Sequence, residues 1–431
     1  MRPMQMPGVS RNGPVLRGGS TPLVETETEK MKPEKDWNFD DVIDRRSTGS
    51  MKWEPAVLRE KFGQGRENLL PLWVADMDFK CPSVVRAAME KRLAHQVYGY
   101  TMPDPAYYEA VIAWYQRRHQ WDIKRNWIMT TPGIVPATNY IIQRFSMPGD
   151  KILIQTPVYY PFAQSITANG RTILENPLKI AAGRYAMDFD DLARKVRDPR
   201  VKVAVLCSPH NPVGRVWKEA ELEQFGNICI ENGVLVFADE IHCDLVMPGF
   251  KHVCFQNISR EFARHSIAAN AASKTFNLAG LQQSNLIIPN ARLRNEFSVY
   301  CETLGVGPRG GGTLFGAIAT QAAYQGAEPW LDDLLLYLHQ NYRYLKDTLE
   351  ANLPGVRVFD LEGTYLPWVD FRPLGLTPEQ IVQKIEGNAG LALDHGAWFG
   401  ENGAGYERFN IACPRSILEQ AVTAVVGAFA K

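Results

Sequence analysis

Between residues 150 and 275 short apolar, β-branched runs alternate with longer stretches of helical period, and this rhythm predicts a mostly parallel sheet covered by helices. Four runs have the length and apolar continuity of strands buried on both faces: KILIQT (151–156), VKVAVLC (201–207), VLVFADE (234–240) and SIAANAAS (266–273). Between them KEAELEQFGNICIENG (218–233) reads as a helix stopped by Gly233. From about residue 326 long helical patterns take over, in PWLDDLLLYLHQNYRYLKDTLEANL, TPEQIVQKIEG and SILEQAVTAVVGAFAK. The last two are expected to open with capping boxes, Thr377 with Gln380 and Ser416 with Glu419, and Pro378 suits a first helical position. The first 35 residues hold five prolines and four glycines with no apolar period, the composition of a disordered extension. The expected organisation is therefore a disordered segment 1–36, an N-terminal part of a small domain over 37–85, a large domain over 86–325, and the rest of a smaller α+β domain over 326–431.

Charge narrows the field of partners. Lysine plus arginine equals aspartate plus glutamate, 47 each in 431 residues, so no net field favours nucleic acid or an anionic membrane. A small, zwitterionic substrate fits this balance better. Seven scattered cysteines with no C-x-x-C pair indicate neither a zinc site nor a disulfide framework. With no apolar run near the ~18 residues of a membrane span and no apolar core of a secretory signal, the expectation is a soluble, cytoplasmic protein without a metal.

In an open parallel sheet ligands bind beyond the carboxyl ends of the strands, so the residues that follow each run carry the chemistry. KILIQT leads into Tyr159, VKVAVLC into Asn211, VLVFADE contains Asp239 and leads into His242, and SIAANAAS leads into Lys274. One earlier segment, TTPGIVPATNYIIQRF (130–145), places Gly133 ahead of a helical pattern and so offers backbone N–H groups and a positive dipole end to a phosphate. An amine, a carboxylate, an amide, an aromatic ring and a helix N-terminus together match pyridoxal 5′-phosphate. Its aldehyde needs a lysine, its ring nitrogen an acid, its 3-oxygen a donor, its ring face a stacking partner and its phosphate a cradle. Lys274, the one charge in AASKTFNLAGLQ, then has its partner in a cofactor aldehyde. These residues alone imply an enzyme acting at Cα of an amino acid and leave elimination and transamination equally open.

PHNPVGRVW, ADEIHCDL, SKTFNLAGLQ and RFNIACPRS, with PLWVADMDF and YGYT upstream, resemble the fold-type I pyridoxal-phosphate enzymes of the aspartate aminotransferase superfamily. Within them the pattern is similar to the MalY/PatB-type cystathionine β-lyases, from about Phe39 to the C-terminus. The spacings agree, with 28 residues from Asn211 to Asp239 and 35 from Asp239 to Lys274. The resemblance implies an α/β fold with a large cofactor domain, a mostly parallel seven-stranded-type sheet and a smaller α+β domain. It implies that Lys274 forms the Schiff base and moves the Cα proton, that Asp239 pairs with the ring nitrogen, and that Asn211 donates to the 3-oxygen with His242 nearby. Tyr159 would stack on the ring, while the amides of Gly133, Ile134 and Val135 with the Ser273 hydroxyl would hold the phosphate. Tyr100 matches a tyrosine that reaches the phosphate from a neighbouring subunit, which implies a homodimer with a shared active site. Arg408 matches the clamp on the substrate carboxylate, with Arg415 as the competing candidate. The activity implied is α,β-elimination from cystathionine or a related cysteine S-conjugate. An aminotransferase, or a regulatory binding protein of the same fold, are the alternatives. Two segments receive no residue-level role: GPRGGGTLFG (307–316), expected to be a flexible loop rather than a phosphate cradle, and DHGAWFGENG (394–403), expected to border the substrate pocket.

Overall fold

Seven strands form the central sheet: β1 (Ile128–Thr131), β2 (Lys151–Ile154), β3 (Thr172–Glu175), β4 (Val201–Cys207), β5 (Leu235–Asp239), β6 (Ser266–Asn270) and β7 (Ser284–Ile287). They are seen in a computed structural model that describes residues 35–306 and 311–430. All but the last two residues of the expected N-terminal extension, and residues 307–310 of the glycine-rich stretch, lie outside the described residues. Trp37–Lys431 group into one compact unit, which is the unit described below.

The spatial order is β1-β7-β6-β5-β4-β2-β3. Four of the six pairings are parallel, and β7 runs antiparallel to both β1 and β6. Reversal at β7 follows from the link that precedes it. Only residues 271–283 separate it from β6, and they hold two short helical turns rather than a helix long enough to cross the sheet. The central strands β4, β5 and β6 are buried along almost their whole length, as their uninterrupted apolar runs require. Because β1 is parallel to β4, β5 and β6, the carboxyl ends of all four open on the same edge of the sheet.

A second sheet of four antiparallel strands stands in the order β8 (Arg357–Val358), β9 (Trp368–Asp370), β11 (Tyr406–Arg408), β10 (Asp394–His395). It is accompanied by the long helix Glu328–Asn352 and the final helix Arg415–Phe429. The capping box at Thr377 and Gln380 is present, with Pro378 at the first helical position. The one expected at Ser416 is not: the helix begins two residues earlier than that cap would allow, at Arg415 behind Pro414, so Ser416 sits inside the first turn. The expected strand over 266–273 also ends early, at Asn270, and Ala272–Thr275 turn into a short helix that carries Lys274.

One carboxylate joins the two sheets' surroundings. Glu362, fully buried ahead of β9, accepts from Arg215 Nε at 3.0 Å and from the Val216 N–H at 2.9 Å, and pairs with Arg184. Its own N–H donates to the Gly214 carbonyl at 2.9 Å. Removing one member of a buried ion pair leaves the other charge uncompensated, a loss of about 3–5 kcal/mol. Glu362→Ala is expected to destabilise the fold by about 3 kcal/mol, read as a lowered midpoint in urea or thermal denaturation. An unchanged midpoint would show that Arg215 is held adequately by Glu221 alone.

Candidate active site

At the shared edge of the sheet lies a cavity of about 300 Å³. Nine of the residues singled out in the sequence line it: Gly133, Ile134, Val135, Tyr159, Asn211, Asp239, His242, Ser273 and Lys274. Each arrives for a local reason. Gly133 takes φ +117°, a value that a side chain disfavours, and turns the chain from β1 into the helix Ile134–Phe145. No side chain caps that helix, so its first N–H groups remain available at the cavity wall. Asp239 is the last residue of β5, and Lys274 follows β6 on its helical turn.

The electrostatics of the cavity are set by burial. Asp239 is 4% exposed, accepts the Ile241 N–H at 3.1 Å and has no ion-pair partner among the described residues. Burial pushes its carboxyl up to about 7, against the Ile241 hydrogen bond and the Lys274 charge, which pull it down. The Lys274 amine is drawn down to about 8, again mainly by burial. Its Nζ donates to the Ala75 carbonyl at 2.5 Å, and Tyr365 Oη donates to the same oxygen at 2.9 Å. His242, edge-on to Tyr365, is held well below its ordinary value by burial, and its Nδ1 has no hydrogen-bond partner among the described residues. Asn211 is fixed from two sides: its carbonyl accepts the Tyr159 N–H at 3.1 Å, and its Oδ1 accepts from Arg408 Nη1 at 2.9 Å. The amide N–H₂ of Asn211 is thereby the end left to face the cavity.

Arg408, on β11, is 2% exposed. Its Nη2 donates to the Trp73 carbonyl at 2.8 Å and is paired with Asp394, its direct neighbour across the β10–β11 ladder. The guanidinium lies 4.9 Å from the Phe399 ring centre. Neither arginine lines the cavity itself: Arg408 reaches it through Asn211, whereas Arg415, seven residues after Arg408, stacks on Tyr344. Tyr100 is not brought to the cavity by its own chain: it is fully exposed and lines a different depression, with Met102 and Gly311.

Three groups in or beside the site had no sequence signal of their own. Ala75 acts through a backbone carbonyl, Tyr365 through a hydroxyl from a distant segment, and Asp394 through the register of two short strands. The described glycines of the 307–316 stretch have a packing role. A Cβ on Gly312 would come 2.5 Å from Gln283 Oε1, and one on Gly316 would come 2.6 Å from the Leu281 carbonyl. The segment after Asp394 is equally tight, since a Cβ on Gly396 would stand 2.0 Å from the Gly403 carbonyl oxygen.

The class I and II aminotransferase family model matches residues 67–425. The chain belongs to that family. It is 40% identical over 391 residues to the cystathionine β-lyase PatB of Bacillus subtilis, covering 91% of this chain and 99% of the relative. Protein MalY of Escherichia coli is 31% identical, over 91% of this chain and 98% of its own. Among solved structures, cystalysin of Treponema denticola, which contains pyridoxal 5′-phosphate, aligns with TM-score 0.86 at 38% identity over 91% of this chain and 98% of that one. The pyridoxal-phosphate-bound C–S lyase of Staphylococcus hominis aligns with TM-score 0.83 at 34% identity, over 92% and 99%.

Beside Asp394 the next residue, His395, bridges Glu407, at 2.9 Å from Nδ1, and Glu386, at 2.9 Å from Nε2. These carboxylates raise its imidazole to about 10 despite burial. Folding thus favours the imidazolium, so its stabilisation is complete below the unfolded value near 6.5 and is lost as pH rises through about 10. His395→Gln is expected to cost about 3 kcal/mol at pH 6 and progressively less toward pH 10. Denaturation of both proteins across this range checks the sign, and a constant difference would contradict it.

Proposed function

We propose that this chain is a pyridoxal 5′-phosphate-dependent carbon–sulfur β-lyase that cleaves cystathionine or related cysteine S-conjugates, with water, to a thiol, pyruvate and ammonia. The observation that carries the reading is the full-length similarity to PatB, at 40% identity, joined to a cavity that collects an amine, a buried acid and a free helix N-terminus.

The donor set suits the cofactor. Asp239 is a buried carboxyl with no cation of its own, as a partner for a protonated ring nitrogen should be, and a positive charge opposite it would restore its anionic form. Asn211 presents N–H rather than carbonyl, which suits the 3-oxygen, and Tyr159 offers a ring face. The uncapped N–H groups at Ile134 and Val135, with Ser273 beside them, suit a phosphate. When bound, the cofactor supplies an electron sink that stabilises negative charge at the substrate Cα.

The chain's own residues do the remainder. Lys274 Nζ, drawn down to about 8, can carry a proton near neutral pH and would be the base that takes the substrate Cα proton. Meanwhile Tyr365 keeps the Ala75 carbonyl satisfied. Arg408 Nη atoms hold the substrate α-carboxylate, a planar group matched to a guanidinium.

We assign residues 86–325 to the large domain and 37–85 with 326–431 to the smaller one. A homodimer is part of the proposal. Val97, Tyr98, Tyr100 and Met102 are all more than half exposed, and this apolar strip suits an interface through which Tyr100 reaches the second subunit's phosphate. A reducing, cytoplasmic setting accords with seven free cysteines.

Supplied with L-cystathionine and no keto acid, the cofactor-loaded protein is expected to release pyruvate and thiol in equal amounts. Absence of pyruvate together with keto-acid-dependent amino transfer would make it an aminotransferase instead. Lys274→Ala should lower turnover by roughly 10²–10⁴-fold or more. Arg408→Ala should raise KM about tenfold or more while kcat changes less. An unchanged KM would remove Arg408 from the clamp.

A further inference from the structure

Two groups of metal-ligating side chains lie buried outside the cavity lining, and the chain treats them differently. In the first, formed by His119, Cys243 and Asp244, the carboxylate accepts from His119 Nε2 and Thr275 Oγ1, each at 2.8 Å, and from Trp114 Nε1 at 3.1 Å. In the second, formed by Glu240, His252 and Cys254, the polar atoms are left open. Both ring nitrogens of His252 and Oε2 of Glu240 are buried with no hydrogen-bond partner among the described residues. Glu240, His252 and Cys254 are 0%, 5% and 3% exposed. Buried polar groups are nearly always partnered, so three open atoms side by side call for a ligand.

Local structure brings the three residues together. Glu240 directly follows Asp239 at the end of β5, and its Oε1 accepts the Phe255 N–H at 2.7 Å. That bond holds the segment of His252 and Cys254 against the strand end. His252 Nε2 then stands 3.7 Å from Glu240 Oε1, too far for a hydrogen bond. One donor atom from each of the three residues lies within 4.8 Å of the others. Around a tetrahedral zinc the donor atoms stand about 3.3–3.7 Å apart, so the group has to close by about 1 Å at its widest.

The donor set selects the ion. Sulfur and imidazole disfavour the hard cations calcium and magnesium, and with a carboxylate they suit zinc. Binding displaces the Cys254 thiol proton to solvent. The doubly charged ion, the thiolate, the carboxylate and a neutral imidazole then sum to zero, as a buried site favours. Three protein ligands leave the fourth position to a water. Tyr115 Oη, also buried with no partner among the described residues and close enough to Glu240 and Cys254 to feel their charges, is placed to hold it.

The geometry points to a buried zinc site at Glu240, His252 and Cys254, which ties the end of β5 to the segment ahead of the short helix Phe255–Ile258. The ion braces the residue next to Asp239 without entering the cavity. No C-x-x-C pair announces the site, because its single cysteine is joined by a histidine two residues earlier and a glutamate from a strand end. Enclosure means that the ion enters as the chain folds.

The full-length, cofactor-loaded protein without an affinity tag, produced with zinc sulfate in the growth medium and dialysed against metal-free buffer, tests the site by elemental mass spectrometry. About one zinc per chain is expected. In Cys254→Ala the content should fall about tenfold or more, since even a residue that only supports a ligand is worth that much affinity. Cys243→Ala, in the hydrogen-bonded group, should keep the ion. Produced with cobalt in place of zinc, the protein should show the intense visible bands of a four-coordinate ion bound to sulfur, at wavelengths beyond the cofactor's absorbance. Zinc-free protein, zinc that stays in Cys254→Ala, or only the weak bands of six-coordinate cobalt would overturn the site. Should Cys254→Ala fail to fold, the zinc content and cobalt spectrum of the unsubstituted protein still decide. None of these readouts measures turnover, so the outcome stands apart from the lyase reading.

Discussion

A guanidinium shut away from water has to be met on every side, and Arg408 is the point at which distant parts of this chain are obliged to meet. Its partners are Asn211 from beyond β4, the Trp73 carbonyl from the N-terminal region and Asp394 from the neighbouring strand of the smaller sheet. Burial makes those contacts obligatory. They also orient Asn211, whose oxygen is claimed by the arginine so that its nitrogen faces the cavity. One buried charge therefore ties the smaller sheet to the end of a central strand and sets the polarity of a residue in the site.

The remaining charges follow the same logic in the opposite sense. Asp239 and Lys274 are buried without an ion-pair partner among the described residues, and burial moves each toward its neutral form. Such groups weaken a fold that has no use for them. Set together in a cavity of about 300 Å³, they suit a ligand with a cationic ring atom and an electrophilic carbon. The contrast with His395, whose two carboxylates hold it charged, separates groups that brace the smaller sheet from groups that await a ligand.

Much of this was legible in the sequence because buried parallel strands are written as continuous apolar runs, and the polar residues that end them stand out. Lys274, Asp239, Asn211 and Tyr159 were visible for that reason, and the structure brings them to one cavity. Short strands were harder. Ile128–Thr131 and Thr172–Glu175 are four residues each, too brief to show a period, and β7 gives no hint that it runs backwards. Ser416 fits a capping pattern, yet Pro414 starts the helix first. Asp394 and Ala75 escaped because one acts through strand register and the other through a backbone carbonyl, neither of which a residue type announces. Tyr100 lies on the surface of its own chain.

The meeting of Gly396 and Gly403 has a bearing on how this loop can change over generations. Their backbones approach so closely that neither position accepts even a methyl group without rebuilding the loop. Random substitution there is removed by its effect on folding before it can be tried for a new substrate. Between them Trp398 packs outward against Phe62 and Tyr160, so variation within this loop has to accumulate at such positions. A library of loop variants would gain by holding the two glycines constant and spending its variation on the residues they enclose.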